Sequence, residues 1–155
     1  MTPVLVAVAI DAALVGLDFT DARYAPAIAG DWREDPRSAP LADCARQLAE
    51  YFAGHRKRFE LPLAPRGTPF QRRVWDAIAR IPCGATISYA ELAVRSGAPG
   101  AARAAGAATG RNPLAIVIPC HRVIGAHGEL AGYGGGVRRK ARLLEHEEAL
   151  DGALA

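Results

Sequence analysis

Cys120 stands in the run Pro119-Cys120-His121-Arg122, where a thiol, an imidazole and a guanidinium follow one another. A thiolate is a strong nucleophile, and nearby cations or a helix N-terminus lower the pKa that controls it. His121 is the side chain whose ordinary pKa lies nearest neutrality, which makes it the candidate base. Adjacent residues do not face each other on a helix, so a bridging water between Cys120 and His121 is a better reading than a direct bond. A base of this kind needs a third group to orient it. The C-terminal stretch offers Glu145, Glu147 and Glu148 for that task. The same pattern also fits a buried cysteine that serves only as a small apolar residue.

The other two cysteines have poorer settings. Cys44 falls on an apolar helical face and reads as core. Cys83, between Pro82 and Gly84, has no histidine near it in sequence. Three cysteines without CxxC spacing favour neither a disulfide scaffold nor a zinc site, and a reducing compartment is expected. His55 and His127 lie in polar, loop-like surroundings. His146 has no partner at metal-ligand spacing, so no metal is expected.

These groups need elements to hold them. Thr68-Pro69-Phe70-Gln71 is a capping box with proline at the first helical position. It opens a helix burying Phe70, Val74, Trp75 and Ile78, which Pro82 and Gly84 end. Ser88-Tyr89-Ala90-Glu91 reads as a second capping box, on a helix running through Val94. Gly97–Gly100 is a tight turn, and Ala101 to Thr109 is a third helix. The pair over residues 88–110 has the form of a helix-turn-helix.

Seven of the nine residues from Ala101 to Thr109 are alanine or glycine, and the one long side chain is Arg103. A major-groove reader needs several polar side chains to reach base edges. This helix could instead press close to a nucleic-acid backbone with little sequence readout, or pack tightly in a core. Leu114–Ile118 is a strand-like apolar run leading into Cys120. Gly125 to Gly136 holds six glycines and reads as a loop or wing. Val137 to Leu150 is a final helix.

Upstream, Val4–Ile10 and Leu14–Phe19 flank Asp11-Ala12-Ala13 as a strand pair. Residues 21–40 read mostly as loop. Leu41 to Phe52 has helical spacing of apolar residues, with Gly54 as its stop. Phe59–Leu63 reads as a third short strand. Pro62, Pro65 and Gly67 mark a linker. The expected division is 1–66, an α/β N-terminal lobe with a short antiparallel sheet, and 67–155, a mostly helical, winged-helix-like lobe with the helix-turn-helix and the reactive cysteine.

The chain has 155 residues, half of them apolar, enough for a core without staples. Its formal charge of +3 hides an uneven distribution: residues 1–66 carry −1, residues 67–144 carry +8 and residues 145–155 carry −4. A basic block of that size suggests a polyanionic partner. No apolar stretch is long enough to span a membrane. Val4–Ile10 lacks a basic leader and is broken by Asp11, so a signal peptide is not expected. A cytoplasmic monomer is the resulting expectation.

Several motifs taken together resemble one known family. Asn112-Pro113, Ile118-Pro119-Cys120-His121-Arg122-Val123, Gly132-Tyr133 and Leu143-Leu144-Glu145-His146-Glu147 are similar to the O6-alkylguanine-DNA alkyltransferases. Gly67–Gln71 with Val74-Trp75, Ile87-Ser88-Tyr89 and Ala101–Ala104 fall in the same order. The resemblance is specific over residues 67–148; residues 1–66 match in outline.

By that resemblance Cys120 is the alkyl acceptor, His121 acts as base through a water, and Glu147 orients His121. Asn112 supports the active-site turn. Arg103 resembles a finger that fills the gap left by a flipped guanine, flanked by Ala102 and Arg111 as DNA-contacting residues. Tyr89 resembles the residue that helps rotate the target nucleotide. Tyr133, Gly134 and Val123 would line the alkyl pocket. Gly134 stands where some members carry a hydroxyl residue, which implies a roomier pocket. The resemblance implies double-stranded DNA bearing O6-alkylguanine as partner, with O4-alkylthymine as a further substrate. It also implies irreversible transfer to the protein and no cofactor.

Two other readings remain. A non-catalytic DNA-binding protein would explain the basic block and the helix pair but not the setting of Cys120. A cysteine hydrolase would use Cys120, His121 and Glu147 but would need an oxyanion loop and an acyl pocket.

Overall fold

The computed structural model describes residues 5–26, 30–130 and 132–154. Two strands, β1 (Leu5–Ile10) and β2 (Ala13–Phe19), pair antiparallel across the Asp11-Ala12 turn. The expected start of β1 at Val4 lies outside the described residues. Helix α1 (Ala39–Phe52) packs on this sheet with Cys44, Leu48 and Tyr51 inward. Gly54, at φ 86°, follows it in the left-handed conformation that a glycine takes freely.

The second strand has a free edge that the rest of the chain uses. Leu14 N–H donates to Pro62 O, and Ala64 N–H returns a bond to Leu14 O, both at 2.8 Å. The Phe59–Leu63 run is therefore no strand; it touches the sheet through one parallel bridge, Leu14 to Leu63. Pro62 within the run and Pro65 just after it remove donors that a longer ladder needs. Further along β2, Leu17 N–H donates to Pro113 O, and Ala115 N–H donates to Leu17 O. The same edge thus fixes the turn that leads into Cys120.

Helix α2 (Pro69–Ala79) begins with the expected capping box, both reciprocal bonds formed between Thr68 and Gln71. Val74, Trp75, Ala77 and Ile78 are buried, while Phe70 is only half-buried at the helix start. Helices α3 (Tyr89–Arg95) and α4 (Ala102–Gly110) form the helix-turn-helix, with Gly97 and Gly100 at positive φ between them. The Ser88 cap is only half a box. Its hydroxyl accepts from Glu91 N–H, but the Glu91 carboxylate turns instead to Arg95 at 3.0 Å. The small residues of α4 let it sit close to α2, where Trp75 Nε1 donates to Ala108 O at 2.8 Å.

Leu114–Ile118 is not a strand. It is a buried tight turn with Ile116 at φ 71°, a conformation that costs a β-branched residue about 1–2 kcal/mol. A 3₁₀ turn, Cys120–Arg122, follows, then β3 (Ile87–Ser88) and β4 (Val123–Ile124) pair in parallel over two residues each. Helix α5 (Val137–Leu154) closes the fold and runs past the expected end at Leu150. No helix among the described residues is long and apolar enough to cross a membrane.

Candidate active site

Cys120 lies at the start of the 3₁₀ turn, at the floor of a cavity between the lobes. The cavity has about 290 Å³ of empty space, its open mouth included. Asp18 and Tyr24 of the N-terminal lobe wall one side; Asn112, Ala115, Tyr133 and Gly134 wall the other. A wider groove of about 760 Å³ shares Tyr24, Gly110, Tyr133 and Gly134 with it and runs between α4 and the glycine-rich loop.

The turn that presents Cys120 is stitched by one side chain. Asn112 Nδ2 donates to Ile118 O at 2.8 Å, and Asn112 Oδ1 accepts from Leu114 N–H at 3.0 Å. These bonds hold the strained Ile116 turn closed. Burial pushes the Cys120 thiol up to about 11, with Asn112 and the Lys140 charge pulling the other way. The lowering by a nearby cation that the sequence suggested is present, but it comes from Lys140 and burial outweighs it. Arg122 follows in sequence but faces elsewhere.

Arg122 is held by Glu147. Its Nε donates to Oε1 and its Nη2 to Oε2, both at 2.8 Å, while Nη1 donates to Ile81 O at 2.6 Å. Glu147 also takes His121 Nε2 at 2.7 Å. Burial alone would raise the Glu147 carboxyl, but the bonds from Arg122 and His121 bring it down to about 2. It is an acceptor only, so His121 Nε2 carries the proton and donates. Burial holds the His121 pKa below 6.5, against the pull of Glu147. His121 Nδ1 is thus a free lone pair, buried and without a hydrogen-bond partner among the described residues. A neutral imidazole with an open Nδ1 is a proton acceptor for a group that reaches it directly or through a water.

The other sequence candidates divide. Tyr133 is buried at the cavity wall with no partner for its hydroxyl among the described residues, and burial raises its pKa. Gly134 lines the cavity, and nothing lies within 4 Å of a Cβ placed there. Val123 does not line the cavity; it is fully buried in β4. Tyr89 lies against α4, its ring 3.6 Å from a Cβ built on Gly106. Ala102 is half-buried, and Arg103 is exposed in the first turn of α4. Arg111 stacks over the Tyr24 ring at 4.2 Å, at the rim of the groove. Among the described residues no cluster of three or more His, Cys, Asp or Glu side chains could hold a metal.

Three residues of the site carry weak sequence signals. Tyr51 reads as a core aromatic of α1, yet its hydroxyl donates to Glu147 Oε2 at 2.7 Å. Lys140 follows Arg138-Arg139 and reads as one more surface cation. It is 1% exposed, and its Nζ donates to Val123 O at 2.6 Å. Asp18 sits in a strand and contributes a cavity wall. The alternation of β2 could have pointed Asp18 inward; the other two pairings join distant parts of the chain.

Residues 5–65 match the family model described as 6-O-methylguanine DNA methyltransferase, ribonuclease-like domain, and residues 69–149 match the DNA binding domain of the same name. The chain is 53% identical over 137 residues to the methylated-DNA–protein-cysteine methyltransferase of Mycolicibacterium paratuberculosis, covering 88% of this chain and 81% of that one. It is 48% identical over 132 residues to the protein of that name from Methanosarcina barkeri, covering 85% and 82%. The fold is similar to that of Mycobacterium tuberculosis OGT, solved in complex with DNA, with a TM-score of 0.87 and 46% identity over 94% of this chain and 87% of that one.

Proposed function

The chain belongs to the 6-O-methylguanine DNA methyltransferase family, and from that premise we propose how its own residues repair alkylated DNA. The protein moves the alkyl group of O6-alkylguanine in double-stranded DNA onto a cysteine of its own, and Cys120 is that cysteine. The Cys120 thiol gives its proton to His121 Nδ1 through a water. The sulfur then attacks the alkyl carbon, an S–C bond forms and the C–O bond breaks. Guanine leaves with the electron pair and is restored when a proton returns to the base. Glu147 keeps the Nε2 proton in place and stabilises the imidazolium. Asn112 holds the turn that carries the sulfur.

A target base inside a duplex is out of reach, so it must be taken out of the stack. The groove between α4 and the glycine-rich loop receives it, with Tyr133 and Gly134 beside the alkyl group. Arg103, projecting from the slim α4, fills the space left in the duplex, with Ala102 close to the backbone and Arg111 at the rim. Tyr89, behind α4, steers the rotating nucleotide. The lobe division at residues 66 and 67, a cytoplasmic location and action as a monomer belong to the same reading. The thioether on Cys120 is a poor leaving group, so each molecule acts once.

One observation carries this assignment: next to Cys120 in the chain, a buried His121–Glu147 pair at 2.7 Å leaves His121 Nδ1 without a partner among the described residues. The test is a titration of protein into a duplex with one O6-methylguanine per strand pair. Repair equal to the protein added, and none with Cys120→Ala, is expected. Tight lesion binding without repair would favour a non-catalytic lesion-binding protein, and continued turnover would favour a hydrolase.

A further inference from the structure

Glu147 Oε2 gathers three hydrogen bonds, and they do not come from one part of the chain. His121 Nε2 and Arg122 Nη2 reach it at 2.7 and 2.8 Å from the turn that carries Cys120. The third donor is the Tyr51 hydroxyl at 2.7 Å, from the last turn of α1 in the other lobe. Tyr51 is fully buried. Its ring is held edge-on by Phe52 at 5.1 Å and by His146 at 5.0 Å. His146 Nε2 also meets the Tyr51 carbonyl oxygen at 2.7 Å, so α1 and α5 are tied at consecutive residues, His146 and Glu147. The hydroxyl can only donate to a carboxylate that Arg122 already keeps ionised.

We propose that Tyr51 is a positioning residue that sets the basicity of His121 through Glu147, so that the N-terminal lobe tunes the proton relay it does not itself contain. The proposal rests on the roles given above to Cys120, His121 and Glu147. A donor on Oε2 draws charge away from the oxygen that faces His121. Bonds of this kind are strong in a buried site. Without the hydroxyl, Oε2 holds the imidazolium more tightly and His121 becomes the stronger base. The other charged or titratable groups around the pair are Cys120 and Arg122 on the turn, Lys140 on α5, Cys83 after α2 and Tyr133 on the glycine-rich loop. Arg122 cannot be removed without stranding a buried carboxylate, whereas Tyr51 loses its donor and leaves no charge behind.

The experiment compares wild type, Tyr51→Phe and protein with 3-fluorotyrosine incorporated at position 51. Fluorine strengthens the hydroxyl as a donor. Histidine-labelled NMR reads the His121 pKa, and transfer from an O6-methylguanine duplex is timed across pH. In Tyr51→Phe the His121 pKa and the acid limb of the rate should both move up by roughly half to one pH unit. In the fluorinated protein both should move down. A purely structural tyrosine would change stability without shifts of opposite sign, and an unmoved His121 pKa in both variants overturns the proposal. If Tyr51→Phe does not fold, the direction of the fluorinated protein's shift decides alone. If wild type transfers nothing, the functional reading fails, while the NMR titration still tests the coupling.

Discussion

Cys120, the nucleophile proposed above, is protonated at rest. With its thiol pushed up to about 11, it should react slowly with iodoacetamide near neutral pH and faster as pH approaches that value. A pH-independent alkylation rate would contradict the burial argument. Transfer to DNA should behave differently, because in the proposed relay His121 takes the proton once substrate is in place. His121 is held below 6.5, so the transfer rate should stay flat as pH falls through 6.5 and decline only beneath it. Glu147→Gln should slow transfer by at least ~10-fold, timed in single-turnover reactions. It should also cost about 3 kcal/mol in urea unfolding, since Arg122 is left buried without its counter-charge. The acid response has a defined sign. Glu147, depressed to about 2 from 4.5, contributes stability above pH 4.5 that is lost as pH falls from there through 2. Wild type should therefore lose more stability over that window than Glu147→Gln. Much of the arrangement was legible in the sequence: the thiol, the imidazole beside it and, among three candidate glutamates, the one that pairs with that imidazole. The fate of Arg122 was not, because adjacency along the chain does not say which way a side chain turns.

At the level of elements, the helices announced themselves through caps and the turns through glycine. Thr68 and Gln71 placed α2, and Gly97 with Gly100 placed the turn before α4. Apolar runs were less informative. Leu114–Ile118 has strand composition, but Asn112 and the edge of β2 take its backbone bonds and bend it into the turn beneath Cys120. Phe59–Leu63 failed as a strand because Pro62, and Pro65 just beyond the run, have no N–H with which to extend a ladder. Gly67 is the element-scale test. A Cβ there would lie 2.5 Å from the Trp75 ring, so Gly67→Ala should destabilise the protein by about 1–3 kcal/mol in urea denaturation. An unchanged midpoint would show that the start of α2 is free to move away from Trp75. Arg103→Ala tests α4. Repair of duplex DNA should fall far more than reaction with free O6-benzylguanine, because only the duplex leaves a gap to fill. Equal losses on both substrates would remove Arg103 from the finger role.

Across the whole molecule, the N-terminal lobe is more than a companion to the DNA-binding lobe. The edge of β2 holds the turn before Cys120, Asp18 and Tyr24 wall the cavity, and Tyr51 reaches the Glu147 carboxylate. These long-range contacts could not be read from periodicity, which reports one element at a time. The charge asymmetry could. With +8 over residues 67–144, binding to undamaged duplex should weaken steeply and linearly on a log–log plot as salt rises. A flat salt response would place the DNA away from that block. Whether Cys120 itself receives the alkyl group is read out by intact-protein mass spectrometry. After mixing with a duplex carrying O6-methylguanine, the protein should gain the mass of one CH₂, mapped to the Cys120 peptide, with no second addition and none in Cys120→Ala. An unchanged mass while the lesion is bound, or a methyl group mapped to Cys44 or Cys83, would contradict it.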